Sequence, residues 1–247
     1  LISTVDDIGW LLNLRGADVA YNPVFLSHVL LGESTAHLFV LPGKVDAALA
    51  ATLAQDGIEV HPYDQAANYV AGLSGQDVLL YDPARTTCAL IDRVGARCVA
   101  GINPSTFFKS QKSAFELTHV RRVMELDGAA LCAFFAWLED RIEHAESQPL
   151  HELMIDERLT QERAAQPGFV SRSFGTISAF NANGAMPHYR PTAQSNARIA
   201  GAGLLLIDSG GQYLGGTTDI TRVVPVGAIT EAHKEDYTAV LRAMISL

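Results

Sequence analysis

Cysteine is scarce: Cys88, Cys98 and Cys132 are the three in a chain of 247 residues. An odd count at scattered spacings supports neither a disulfide framework nor a cysteine-rich zinc site. The expected state is reduced, partly buried thiols in a cytoplasmic protein. Long apolar runs are missing too: none approaches the roughly 20 residues of a membrane-spanning helix, and no secretory leader opens the sequence. Basic charge is in short supply, with 18 Lys and Arg against 27 Asp and Glu, a net charge of −9. That balance argues against nucleic acid or an anionic membrane surface as a partner. There is no Met at position 1, and Leu247 falls inside a helical pattern, so both ends are expected to be cuts in something longer.

Several catalytic signatures are also absent. No Gly-Lys-Ser/Thr phosphate loop occurs. Gly201-Ala202-Gly203 precedes a strand instead of opening a helix, which excludes a dinucleotide fingerprint. His151-Glu152 begins like a helical zinc-protease motif, but Ile155 stands where the second His is needed. Ser209 lacks the Gly-x-Ser-x-Gly elbow of a nucleophilic serine.

What is present is a globular composition, 48% hydrophobic and 18% charged. Through the first hundred residues short apolar runs alternate with helical patterns. Strands are predicted at 36–41, 58–63, 78–81 and 97–100, with helices at 5–15, 44–55, 65–73 and 86–94, an α/β layer. Gly101-Ile102-Asn103-Pro104 is the predicted domain boundary. Beyond it, Leu117, Val120, Met124, Leu131, Phe134, Phe135, Leu138 and Ile142 follow one helix face over 113–145. A second helix is expected over 150–165. Strands then follow at 174–180, 204–208 and 215–226, with a last helix capped by Thr230, an α+β pattern.

Two stretches carry candidate chemistry. Leu204-Leu205-Leu206-Ile207 is an apolar strand, expected to be buried on both faces, that runs straight into Asp208. Gly210 and Gly211 let the chain reverse, and the return strand brings Asp219 near the same level. Two carboxylates delivered to one place repel unless a cation lies between them, and hard oxygen donors on a sheet suit a divalent ion such as Mn²⁺. Ordinary turn chemistry stays open, with Asp208 capping the turn and Asp219 paired with Arg222 or solvent. His188, after Pro187, is either a surface histidine or a donor to a substrate carbonyl or tetrahedral intermediate.

These residues resemble a known family. Trp10-Leu-Leu-Asn-Leu-Arg-Gly16, with Asp18 and Tyr21-Asn-Pro-Val-Phe25, is similar to the start of the middle domain of long Xaa-Pro aminopeptidases (aminopeptidase P). Ala129 to Glu139 resembles their first catalytic-domain helix, and the stretches around His188 and from Asp208 to Arg222 resemble their catalytic core. The resemblance implies a creatinase/prolidase-like middle domain at 1–103, followed at 104–247 by the first half of a pita-bread catalytic domain. Family members bind two metal ions, usually Mn²⁺, through two Asp, one His and two Glu. Asp208 matches the first Asp and Asp219, eleven residues on, the second. His188 matches an active-site histidine that binds substrate and not metal. No stretch after Arg222 supplies the other three ligands.

The implied parent activity is release of the N-terminal residue from peptides with proline second, this chain being inactive as it stands. A non-catalytic pita-bread module binding peptides or proteins, or a prolidase or creatinase relative, is the alternative. Half of such a sheet exposes apolar surface, so self-association is expected.

Overall fold

The computed structural model describes residues 1–247 and divides into two compact units, Leu1–Ser113 and Ala114–Leu247. In the first, α1 (Val5–Leu11) leads to β1 (Ser27–Leu31), β2 (Ala36–Val40), α2 (Ala47–Gln55), β3 (Ile58–Pro62), α3 (Ala66–Ala71), β4 (Val78–Tyr81), α4 (Cys88–Ile91), β5 (Arg97–Ala100) and α5 (Pro104–Ser110). Central β2 runs antiparallel to β1 and parallel to β3, and β4 pairs with β5 in parallel. Alternation of side chains sorts the three-stranded sheet into two apolar faces. Val29, Leu38 and Val40 pack with Ile8 and Leu53; Leu30 and Phe39 pack with Val70, Leu79 and Leu90. Asp46 caps α2 by accepting from the Leu49 N–H at 2.8 Å.

A buried carboxylate fastens α5 to α1. The Asp7 side chain is 1% exposed and meets Lys109 Nζ at 2.6 Å, while Ser105 and Thr106 hydroxyls donate to it at 2.9 and 2.7 Å. Burial alone would raise the Asp7 carboxyl, but the bonds from Lys109, Thr106 and Ser105 outweigh it and hold the group below the ordinary aspartate range. A carboxylate more acidic when folded stabilises the fold above its unfolded pKa, about 3.9, and the contribution fades as pH falls through the lower folded value. Asp7→Asn is therefore expected to cost about 1–3 kcal/mol at neutral pH. The deficit should shrink below about pH 4. Urea unfolding at pH 7 and pH 3 checks this, and an equal deficit at both would contradict it.

The second unit begins with the long α6 (Ala114–Glu143) and α7 (Glu152–Ala164), followed by β6 (Phe169–Arg172), β7 (Ile177–Phe180), β8 (Gly203–Ser209), β9 (Gly211–Tyr213), β10 (Gly216–Thr217), β11 (Ile220–Val226) and α8 (Glu231–Ser246). One antiparallel sheet has the order β11-β8-β7 and another β10-β9-β6. Phe180, Leu205, Ile207 and Val226 turn one face of the first sheet onto Leu131, Phe134 and Leu138 of α6 and Ile155 and Leu159 of α7. The opposite face is open. β8 alternates between buried Leu205, Ile207 and Ser209 and half-buried Leu204, Leu206 and Asp208, so the expectation of burial on both faces fails because helices cover one side only. The three cysteines are unpaired, and all are exposed instead of partly buried.

The buried stripe of α7 is Glu152, Ile155, Leu159 and Arg163, residues three and four apart on one helix face. Two of these are charged, and each has partners. Arg163 Nε and Nη2 donate to the two Asp127 oxygens at 2.7 and 3.1 Å, and the Tyr213 hydroxyl donates to Asp127 Oδ1 at 2.8 Å. Burial, then the bond to Asp127, raises the Tyr213 phenol well above its usual range. One desolvated network thus ties α6, α7 and β9 together. α8 opens with Thr230, whose hydroxyl accepts from the His233 N–H at 3.2 Å. It leaves Val240, Met244 and Ile245 exposed.

Candidate metal centre

Asp208 and Asp219 flank the hairpin through β9 and β10. In the β8–β11 register Asp208 stands opposite Thr221, whose hydroxyl donates to Asp208 Oδ1 at 2.8 Å. Asp219 immediately precedes β11. Although Asp219 is exposed, the desolvation that remains, then the charge of Asp208 and a hydrogen bond to it, raise its carboxyl above the ordinary aspartate range. The sequence's alternative neutraliser is engaged elsewhere: Arg222 Nη1 donates to the Thr221 carbonyl at 2.8 Å. Two oxygen-donor groups of like charge, close enough to perturb one another and without a basic partner, are the donor set a divalent cation fits.

Glycine at 210 makes this approach possible. A Cβ there would lie 2.0 Å from the Thr218 carbonyl oxygen and 2.2 Å from Ser173 Oγ. Thr218, the residue before Asp219, is fully buried and held by its N–H to Gly211 O and by the Gly211 N–H to its own hydroxyl, both 2.9 Å. The bare Gly210 backbone lets the returning chain press against the end of β8.

His188 lies on the loop between β7 and β8, exposed and with φ +58°, a left-handed conformation uncommon outside glycine. With Asp208 it lines one hollow of about 270 Å³, whose other walls include Ile177, Ala179, Met186 and Leu206. The open sheet face therefore brings His188 and Asp208 together, with Asp219 beside Asp208.

Sequence reasoning missed the residue that holds this loop. Glu152, discarded as part of a failed zinc motif, is fully buried. It accepts from the Phe180 and Ala197 N–H groups at 2.7 and 2.9 Å, from Asn183 Nδ2 at 3.0 Å and from the Tyr189 hydroxyl at 2.8 Å. Burial, then the bond to Glu152, raises the Tyr189 phenol. Glu152 thus ties both ends of the 180–197 segment to α7 and fixes the residue next to His188. The available signal was a Glu at a buried position of the α7 stripe.

Comparison with known proteins agrees with this architecture. The profile of the Creatinase/Prolidase N-terminal domain matches residues 1–116, and that of Metallopeptidase family M24 matches residues 118–247. The chain belongs to metallopeptidase family M24. Its fold is α/β in the creatinase/prolidase-like first unit and α+β in the pita-bread metallopeptidase segment that follows. Among individual proteins, it is 37% identical to Xaa-Pro aminopeptidase 1 of Dictyostelium discoideum, over 100% of this chain and 39% of that protein. It is also 37% identical to a probable Xaa-Pro aminopeptidase P of Coccidioides posadasii, over 100% of this chain and 42% of that protein. The crystal structure of the Caenorhabditis elegans X-prolyl aminopeptidase, described as a cytosolic enzyme with a di-nuclear active site, superposes with a TM-score of 0.83. Its identity is 27%, covering 92% of this chain and 38% of that one. The chain thus spans about two fifths of the curated relatives it matches. No helix is long and apolar enough to cross a membrane.

Proposed function

We propose that this chain carries part of the catalytic centre of a cytoplasmic Xaa-Pro aminopeptidase. In this reading Asp208 and Asp219 bind divalent metal, Mn²⁺ by preference, and His188 holds the substrate. The carrying observation is the unneutralised approach of Asp208 and Asp219 on the open sheet face, with His188 lining the same hollow as Asp208. The first unit, Leu1–Ser113, acts as the middle domain and Ala114–Leu247 as the first half of the catalytic domain. The family's remaining His and two Glu ligands come from sequence beyond this chain.

The residues present have distinct tasks. The Thr221 hydroxyl directs one lone pair of Asp208 and leaves its other oxygen for a cation. Asp219, next to Asp208, would hold the metal together with it. His188 can donate to the carbonyl that precedes proline, while Glu152 keeps its loop in place. The bound ions would supply a water of lowered pKa and neutralise charge developing on that carbonyl.

Assay on an Xaa-Pro tripeptide tests the reading. The chain alone is expected to show no turnover. The chain extended by a segment supplying the missing ligands should hydrolyse the Xaa-Pro bond and lose more than about 100-fold of that activity with Asp219→Asn. Extended protein that binds such peptides without cleaving them would favour a binding module. Self-association through the exposed apolar side chains of α8 is part of the same proposal.

A further inference from the structure

The first unit contains a second constellation of ligand atoms, separate from the carboxylate pair. Parallel pairing of β2 and β3 sets His37 opposite Glu59 and Phe39 opposite His61. Residues His37, Glu59 and His61 therefore share one sheet face, and their polar atoms converge. His37 Nδ1 lies 3.1 Å from His61 Nε2. Glu59 Oε2 lies 3.3 Å from the first and 3.5 Å from the second. For N and O ligands about 2.0–2.1 Å from a tetrahedral ion, the ligand-to-ligand edge is about 3.3–3.4 Å. The observed triangle has the dimensions of one face of that tetrahedron, with the fourth position open.

We infer that His37, Glu59 and His61 form a Zn²⁺ site that clips β2 to β3. Two imidazoles and one carboxylate suit a borderline ion such as Zn²⁺ and disfavour Mn²⁺, which prefers all-oxygen sites. The surroundings fit a ligand set. The Tyr69 hydroxyl is 3.2 Å from His61 Nδ1, so that nitrogen can hold its proton while Nε2 presents a lone pair. Tyr69 and Phe39 also pack on the His61 ring, with centroids 4.6 and 5.3 Å away. Entry is open, because His37 also lines a cleft of about 600 Å³ with Leu30, Leu73 and Leu79. Glu59, with 58% of its side chain exposed, can swing onto the ion at little cost.

Zn²⁺ titration by calorimetry decides this, using the full chain with Asp208→Asn and Asp219→Asn so that the carboxylate pair cannot respond. One equivalent of Zn²⁺ should bind, Mn²⁺ should not compete at equal concentration, and Co²⁺ substitution should give the intense visible bands of a four-coordinate ion. Adding His61→Gln or Glu59→Gln should weaken binding by at least about 10–100-fold. Circular dichroism checks folding of each variant. Should His61→Gln fail to fold, Glu59→Gln, altered at a half-exposed side chain, decides alone. Absence of Zn²⁺ binding would show a hydrogen-bonded triad only and overturn the inference. So would binding that neither substitution changes.

Discussion

Asp127→Ala is expected to destabilise the second unit by about 3–5 kcal/mol. The Arg163 guanidinium is 1% exposed and Asp127 is fully buried, so removing the carboxylate strands a desolvated cation. It also leaves the Tyr213 hydroxyl, which donates to the same carboxylate at 2.8 Å, without its acceptor. Water cannot compensate cheaply in the packed space between α6, α7 and β9. At about 2–4 °C per kcal/mol for a chain of this size, the thermal midpoint of this unit should drop by roughly 6–20 °C. The double variant Asp127→Leu, Arg163→Met removes both charges and should recover the part of the loss due to the stranded cation, because a buried ion pair is costly to break and often neutral to replace, while the Tyr213 hydroxyl still lacks its acceptor. A single variant less than about 1 kcal/mol below the parent would mean that the network is solvated in solution.

Gly210→Ala is expected to cost about 3 kcal/mol or more, the upper end of overpacking effects. The obstacle to a Cβ is chiefly backbone: the Thr218 carbonyl oxygen at 2.0 Å and its carbon at 2.8 Å, besides Ser173 Oγ at 2.2 Å. A flexible side chain could move aside, but Thr218 is fixed by its hydrogen bonds to Gly211. Relief therefore requires the strand carrying Asp219 to withdraw from Asp208. Gly215→Ala in the same hairpin is the control. Its nearest neighbours, His119 Cβ and Val123 Cγ2, lie at 3.3 Å, and the cost should stay below about 1 kcal/mol. Equal costs at the two positions would contradict the close-approach argument. Chemical denaturation of the two variants gives the comparison.

Features encoded locally were readable in advance. β4 and β5 fall where their apolar runs and flanking breakers put them, and Thr230 caps α8; α6 has the expected extent and buries Leu131, Phe134 and Leu138 of its predicted face, but Leu117 and Met124 are exposed while Val123 and Asp127 are buried in that half. β1 escaped notice because Ser27 and His28 interrupt its apolar signal, yet both are buried, with Ser27 Oγ on Phe25 O and His28 Nδ1 against Ser3 Oγ. β6 was missed because Pro167-Gly168 reads as a stop while a strand begins directly after it.

The same distinction runs through the sites. The Asp208–Asp219 approach was legible because the two strands are contiguous in sequence, although the chain reverses at Leu214-Gly215, between β9 and β10, and not at Gly210-Gly211, where Gly211 already belongs to β9. Glu152 was not, since its partners lie 28 to 45 residues along the chain. Asp127 and Arg163, 36 residues apart, are joined by helix packing. His37, Glu59 and His61 meet only through a parallel register, which neither strand specifies alone.

Titration of the chain with Mn²⁺, followed by calorimetry and by the loss of the free-ion electron paramagnetic signal, tests the central claim that Asp208 and Asp219 are part of a metal centre. The expected result is weak binding, with a Kd of about 10⁻⁴–10⁻³ M, because two carboxylates leave most coordination positions to water. Binding should weaken as pH falls, since Asp219, already raised above the ordinary range, must lose its proton to bind. Asp219→Asn should abolish it. Mn²⁺ binding that survives the joint Asp208→Asn and Asp219→Asn substitutions would contradict the assignment, and tight two-site binding by the monomeric chain would contradict the claim that its ligand set is incomplete.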